Sequence, residues 1–406
     1  MITRQHCRIS GGKLETLLNL GDFYVSDFVK IPKDSKYAEK CPLELTICED
    51  SQLVQLRHTA SFDKMYRQYW YNSGTNVTMK AALKDIVKQA TKHVYKLFDG
   101  DVVLDIGCND GELLSYYPEN VVKIGFDPAN NMYEKSSKHA DKVFANFFNA
   151  DEYFSYTNKQ AQIITAIAMF YDLEEPHKFI REIDKVLAPD GIFIIQMTDL
   201  YNMIKVNAID NICHEHLEYY SLKSLDFLLK QYDLEICDIS YNDINGGSIR
   251  LYIQHCKNVT YSYQNVNKAM NKEEKLKLYE PETLINFVNK AKEIKERLTN
   301  FIADVTSKGK SVYVYGASTK GNTLLQYCGL NDKLITAALE RNPDKFGLYT
   351  VGTNIQIISE EEGRKRKPDY MLVLPWHFKK EFIKRELEYL KSGGKLIFPM
   401  PEFEVI

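Results

Sequence analysis

The spacing of apolar positions changes character twice along the chain. Up to residue 75 the apolar runs are short and broken by Gly and Pro, as in 14–21 (LETLLNLG) and 51–59 (SQLVQLRHT). That pattern predicts short strands without a helix-length stripe. Apolar residues then recur three and four apart at Met79, Leu83, Ile86, Val87 and Val94, which predicts an amphipathic helix over 78–98. From Asp101 four continuous apolar runs follow, 102–107, 121–127, 161–170 and 191–197, with helical stretches such as 176–187 between them. Strands apolar on both faces and alternating with helices predict a parallel sheet covered on both sides. A helix over 221–232 and strands over 234–241 and 249–256, joined through Gly246 and Gly247, predict an antiparallel, hairpin-like ending to that sheet. Residues 271–308 read as one or two polar amphipathic helices, and at Ser311 the strand–helix alternation starts afresh. The expected division is 1–75, 76–258 and 259–406.

With 406 residues, each unit can bury a core of its own. No apolar run approaches the roughly 18 residues of a membrane span, and the first ten residues lack a signal-peptide stretch. A cytoplasmic protein without a membrane partner is expected. Basic and acidic residues nearly balance, 52 against 55, so no whole-chain field favours nucleic acid. Eight cysteines occur without a C-x-x-C pair, the usage of buried thiols in a reducing compartment. Nothing in the sequence sets the oligomeric state.

Two places carry candidate chemistry. In 102–114 (VVLDIGCNDGELL) Gly107 and Gly111 stand between a strand and a helix, without the GK[ST] of a P-loop or the G-x-G-x-x-G of a dinucleotide site. Each is readable as a turn glycine, and Asp127, at the end of the next strand, as a helix cap. In order and at this spacing they point to a nucleoside whose ribose hydroxyls meet Asp127. The second place is 211–222 (NICHEHLEYYSL), after the strand 191–197 and hence at the carboxyl edge of the sheet, where ligands bind in open α/β folds. In a helix His214 and His216 would point about 200° apart, and the H-E-x-x-H spacing is absent, so no catalytic metal is expected. Histidine suits acid–base work near neutral pH.

The first place resembles the class I S-adenosylmethionine-dependent methyltransferases. That resemblance implies Asp105 and Gly107 beside the methionine part, Asn109 and Gly111 close to the ligand, and Asp127 on the ribose. Over its whole length the chain resembles the three-domain sugar C-methyltransferases that act on nucleotide-linked 4-keto-6-deoxysugars. The stretches that carry it are CPLELTICEDSQLVQL, YWYNSGTN, LDIGCNDGELL, HEHLEYYSL, NGGSIR, YGASTKGNTLLQYCG, ERNPDKFG, LPWHFKKE and GGKLIFPMP, in family order. The fold implied is α/β: a class I methyltransferase (Rossmann-like) core, a small N-terminal domain of the zinc-binding type and a second Rossmann-like C-terminal domain.

C-methylation beside a ketone needs a base for a weakly acidic proton and donors for the enolate oxygen. The resemblance implies His216 as base, with Glu215 orienting it or binding sugar hydroxyls. Tyr71 is implied as the donor toward the carbonyl, and His214 as a stand-in for Glu215. Tyr69, Tyr219 and Tyr220 are expected as packing or pocket wall. Ser318 and Lys320 would meet a diphosphate, and Asn245 the substrate. Two departures stand out. The family's zinc-holding C-x-x-C pairs read Cys7-x-x-Ser10 and Cys48-x-x-Ser51, so structural zinc is not expected on the degenerate candidates Cys7 and Cys48. Nothing in the sequence brings His6, Cys41 and His58 together as substitutes. Cys213 and Asn245 replace a usual tyrosine and histidine, which leaves the sugar open. The alternatives are a sugar O-methyltransferase of the same fold and a catalytically silent binding or scaffold protein.

Overall fold

The four apolar runs are the central strands of a seven-stranded sheet. Its order is Leu234–Asn242, Ser248–His255, Leu187–Met197, Ala161–Ile167, Val102–Ile106, Val122–Phe126, Lys142–Phe144. The computed structural model describes residues 1–67, 70, 73–75, 77–93, 97–258 and 263–406. Neighbouring strands are parallel except Ser248–His255, which runs antiparallel to both of its neighbours. This is the Rossmann-like sheet of the class I methyltransferases, and the hairpin expected at its end is the source of the reversed strand.

Side-chain alternation along these strands feeds two cores. Val103, Ile163, Ile192 and Ile194 face the helix Val77–His93, which buries Leu83, Ile86, Val87 and Ala90. Val102, Leu104, Ile164 and Ile195 face the helix Pro176–Val186, which buries Phe179, Ile180, Ile183 and Val186. The two periods, two in the strands and 3.6 in the helices, meet face to face.

The C-terminal unit is a six-stranded sheet in the order Ile357–Ser359, Ala338–Glu340, Val312–Tyr315, Tyr370–Val373, Lys395–Phe398, Glu404–Val405, parallel except for its last strand. The polar stretch 271–308 forms the end of one helix, Gln264–Lys275, and a long second one, Pro281–Ser307. The long helix buries Leu284, Phe287, Ala291, Ile294, Leu298, Ile302 and Val305 at spacings of three and four.

The N-terminal unit fastens the other two. Its antiparallel sheet runs Glu218–Tyr219, Val54–Leu56, Lys40–Ile47, Glu15–Tyr24, so its first edge strand comes from the H-E-H segment. Phe28–Val29 pairs with Tyr349–Thr350 of the C-terminal unit. Among the described residues no helix is long and apolar enough to cross a membrane.

Candidate active site

The carboxyl ends of strands from both large sheets open into one cleft of about 1350 Å³, lined from the loop after Val102–Ile106 across to the loop after Val312–Tyr315. At one end Gly107 turns the chain with φ +74°, and a Cβ there would stand 3.1 Å from Met169 Cγ. Gly111, φ +80°, is tighter still: a Cβ would lie 2.9 Å from the Ser136 Cα, so only glycine fits. The Asp127 carboxylate accepts the backbone N–H groups of Asn109 and Ala129, each at 2.8 Å. Each of its oxygens keeps a further acceptor position, and the residue lines the cleft. Burial raises the Asp127 carboxyl. Asn109 sits at φ +49° and uses its side-chain oxygen to accept from Ser73 N–H and Oγ, so its amide steadies the loop. Asp105 is buried, accepts the Thr165 hydroxyl at 2.6 Å and is pushed up to about 7, by burial first and then by Asp127 and Asp110. Phe147, Phe148, Met169 and Leu173 add an apolar wall. Sequence reading missed this wall, although the aromatic pair at 147–148 was its signal. Bare backbone, a carboxylate with open acceptor positions and an apolar wall together suit a nucleoside.

The H-E-H segment is a turn, closed by His216 N–H on the Cys213 carbonyl, and this sends its two histidines in opposite directions. His214 is buried and its Nε2 donates to the Cys41 carbonyl at 2.8 Å, so it ties the turn to the N-terminal unit and does not line the cleft. The supporting role expected for it is therefore not one its position provides. His216 lines the cleft. Its Nδ1 lies 3.1 Å from the Asn211 carbonyl, an acceptor only, so Nδ1 carries the proton and Nε2 keeps its lone pair. Burial, then the charge of Lys320, lower His216 to about 3, so the ring is neutral. The Tyr171 ring packs on it with centroids 4.2 Å apart. Glu215 accepts the Thr319 hydroxyl at 3.2 Å, and burial raises it to about 7 against the pull of Thr319, Lys320 and Lys345. Tyr219 donates to the Asn211 carbonyl and Tyr220 lies in the core. Tyr71 and Tyr69 lie outside the described residues. Ligand atoms of Cys213, Glu215 and His216 lie within 4.8 Å of one another, a convergence the sequence did not show. The positive charge of Lys320 bears on all three groups, which opposes a cation there.

From the other side the C-terminal unit presents the N-terminus of the helix Thr319–Tyr327. Ser318 caps it, accepting the Gly321 N–H at 2.9 Å, and lines the cleft. Lys320 reaches across to Asp210, 3.4 Å away, and the same Asp210 oxygen accepts the Trp376 indole N–H at 3.1 Å. Asn245 lines the cleft in the left-handed region, φ +56°. Gly246 beside it lies so close to Trp376 that a Cβ would come within 3.2 Å of the indole ring. Asp172, Asp210 and Asn211 also line the cleft and were missed, because their roles come from three distant segments meeting.

The N-terminal unit brings together the four residues of the degenerate zinc pattern. Cys7 Sγ lies 3.3 Å from Ser51 Oγ and Ser10 Oγ lies 3.1 Å from Cys48 Sγ. Burial works against ionisation of Cys7, yet Ser10, Ser51 and the Ile9 N–H bring its thiol below its ordinary value. Two thiols and two hydroxyls do not fit zinc, which favours thiolate and imidazole in a closed structural site. Two of the substitutes are engaged elsewhere: Cys41 packs by Ala60 and Met65, and His58 meets Thr3 and Glu44. Metal analysis of the purified protein is expected to find no stoichiometric zinc, and a chelator to leave its thermal midpoint unchanged. The double variant Ser10→Cys, Ser51→Cys is expected to take up zinc and become chelator-sensitive. A zinc-loaded wild type would contradict this account of the cluster.

Three family models match in succession: a putative zinc binding domain over residues 7–66, a methyltransferase domain over 77–239 and a C-methyltransferase C-terminal domain over 243–401. The chain is 28% identical to the C-methyltransferase NovU of Streptomyces niveus over 368 residues, 90% of this chain and 87% of that one. It is 30% identical to the uncharacterized protein MJ1252 of Methanocaldococcus jannaschii over 145 residues, 35% of this chain and 49% of that one. Among solved structures it is similar to an S-adenosylmethionine-dependent methyltransferase from Clostridium acetobutylicum, at 12% identity and TM-score 0.34, over 43% of this chain and 91% of that one.

Proposed function

Because this chain belongs to the S-adenosylmethionine-dependent C-methyltransferases, we propose that its cleft takes a nucleotide-linked 4-keto-6-deoxysugar and that His216 removes the proton beside the ketone. The observation that carries this reading is the fixed tautomer of His216. Its Nδ1 proton is committed to the Asn211 carbonyl, so a neutral Nε2 is left as a base in the cleft. S-adenosylmethionine, when bound, supplies an electrophilic methyl for the carbanion so formed. The residues for it are Asp127 on the ribose hydroxyls, Gly107 and Gly111 giving backbone access, and Asp105 at the methionine end. Asp127→Ala is expected to weaken S-adenosylmethionine binding about 10- to 100-fold, the scale of hydrogen bonds to a charged group. Calorimetric titration checks this, with the unfolding midpoint as a control for folding.

Lys320 and Ser318 face the cleft where a diphosphate would lie, with Asn245 on the sugar side. Lys320 is one of the two causes that hold His216 low. A phosphate neutralising Lys320 removes the smaller of those two causes, burial being the larger, so the base strengthens in part when the substrate is seated. Glu215, near 7, exchanges hydrogen bonds with sugar hydroxyls in either protonation state. The test is transfer of a radiolabelled methyl to a panel of nucleotide-linked sugars, 4-keto against 4-hydroxy. Acceptance of keto members alone supports the reading, and acceptance of hydroxyl members alone turns it into an O-methyltransferase.

A further inference from the structure

Three carboxyl groups are crowded where the H-E-H turn meets the end of the strand Ala161–Ile167. Glu215 has Lys320 and Lys345 to offset its charge. Glu218 has Arg8, 3.8 Å away, although burial still keeps its carboxyl raised. Among the described residues the charged groups that bear on Asp172 are both acids, Glu215 and Glu218, and its hydroxyl partner is Tyr66. Burial and those two charges hold its carboxyl well above the ordinary carboxylate range. An anion in a dry site beside another anion is costly, and the group relieves that cost by keeping its proton. The resulting acid is both donor and acceptor. One of its oxygens, Oδ1, is buried without a hydrogen-bond partner among the described residues, although Asp172 lines the cleft. It follows Tyr171, whose ring packs on His216, so acid and base stand at the same end of the cleft.

We propose that Asp172 is a catalytic residue: as a neutral acid it donates its O–H to the substrate carbonyl oxygen and stabilises the enolate oxygen formed when His216 takes the neighbouring proton. This rests on the keto-sugar reading. The step balances within the site. His216 Nε2 takes the proton, and the electron pair of the broken C–H bond becomes the C=C bond. The carbonyl π pair moves onto oxygen, against the Asp172 O–H. The C=C pair then makes the new bond to the methyl group, whose bond to the sulfonium sulfur of S-adenosylmethionine would break with its pair left on sulfur as the leaving thioether. The oxygen pair returns, C=O re-forms and His216 releases its proton to solvent. Asp172 begins and ends protonated.

Two measurements test it. Infrared difference spectra at neutral pH, on protein with carbon-13-labelled aspartate, are expected to show a protonated carboxyl band that Asp172→Asn removes. With an accepted keto-sugar, Asp172→Ala is expected to lower kcat about 10²- to 10³-fold, the cost of one oxyanion donor. Asp172→Asn, which keeps a donor, is expected to lose less, and S-adenosylmethionine affinity to stay unchanged in both. Absence of the band overturns the proposal, whatever the variants do. An active wild type with an equally active Asp172→Ala overturns it alone. A wild type inert on every keto-sugar overturns the keto-sugar reading and this assignment with it.

Discussion

His216→Ala is expected to lower methyl transfer about 10³-fold, within the range that a positioned general base supplies, while leaving S-adenosylmethionine affinity within twofold of wild type. The expectation comes from the separation of the ring's two nitrogens. Nδ1 works structurally on the Asn211 carbonyl, while among the described residues no hydrogen-bond partner occupies Nε2. His216→Gln separates those duties, because an amide can still donate to the carbonyl but cannot accept a proton at useful strength. Equal losses in the alanine and glutamine variants would assign the effect to the base. A glutamine variant near wild-type rate would reduce His216 to a prop. The ring's depressed pKa, about 3, also fixes a stability consequence. An unfolded chain takes up this proton near 6.5 and the folded one only near 3, so the neutral ring's contribution is complete above about 6.5 and is lost as pH falls from there toward 3.

Arg8→Ala is expected to destabilise the protein by about 3–5 kcal/mol, the range for removing one partner of a buried charged network. The Arg8 side chain is fully buried. Its guanidinium donates to Gln55 Oε1 at 3.0 Å, the Leu56 carbonyl at 2.6 Å, Thr59 Oγ1 at 2.8 Å and Glu174 Oε2 at 3.1 Å. Glu218, on the strand that follows the H-E-H turn, meets it as a charge contact at 3.8 Å, without a hydrogen bond. There burial outweighs Arg8 and keeps the Glu218 carboxyl raised. The loss thus comes from four acceptors that each lose a partner, although Gln55 Oε1 keeps the backbone N–H of residue 8 and Glu174 keeps the Thr59 hydroxyl and Arg4. The same network holds the strand Glu218–Tyr219 on the N-terminal sheet, so kcat is expected to fall together with stability. Urea unfolding at unchanged slope measures the first. A variant within about 1 kcal/mol of wild type, the scale of an exposed pair, would show that the network carries no such load.

What could be read in advance was what repeats or what sits in one short stretch. The four apolar runs, the glycine turn with Asp127 after it, and the terminal hairpin each need only local sequence, and the core sheet follows from them. The long helix Pro281–Ser307 announced itself by its three-and-four spacing. The two-residue strand Glu218–Tyr219 has no periodicity to read, and its partner lies over 160 residues earlier, at Val54 and Gln55. The opposite fates of His214 and His216 depend on that pairing, because it decides which side of the turn meets Cys41. Asp172 and Asp210 look in sequence like ordinary acids at the end of a strand or in a loop. Only the fold shows that one stands beside two further acids and the other receives Lys320 and Trp376 from the C-terminal unit. The cysteine–serine cluster was legible as a loss of ligands but not as a set of thiol–hydroxyl contacts.

The central claim, a carbanion made by His216 and captured by methyl, is tested most directly by the bond that forms. Enzyme, S-adenosylmethionine labelled with carbon-13 in its methyl group and an accepted nucleotide-linked keto-sugar are incubated in heavy water and followed by carbon NMR. The account predicts an upfield signal from a carbon-bound methyl beside the ketone, with deuterium entering the same carbon of unreacted sugar in wild type and not in His216→Ala. A methoxy signal, or a carbon-bound methyl that still forms at the wild-type rate in His216→Ala, would contradict it.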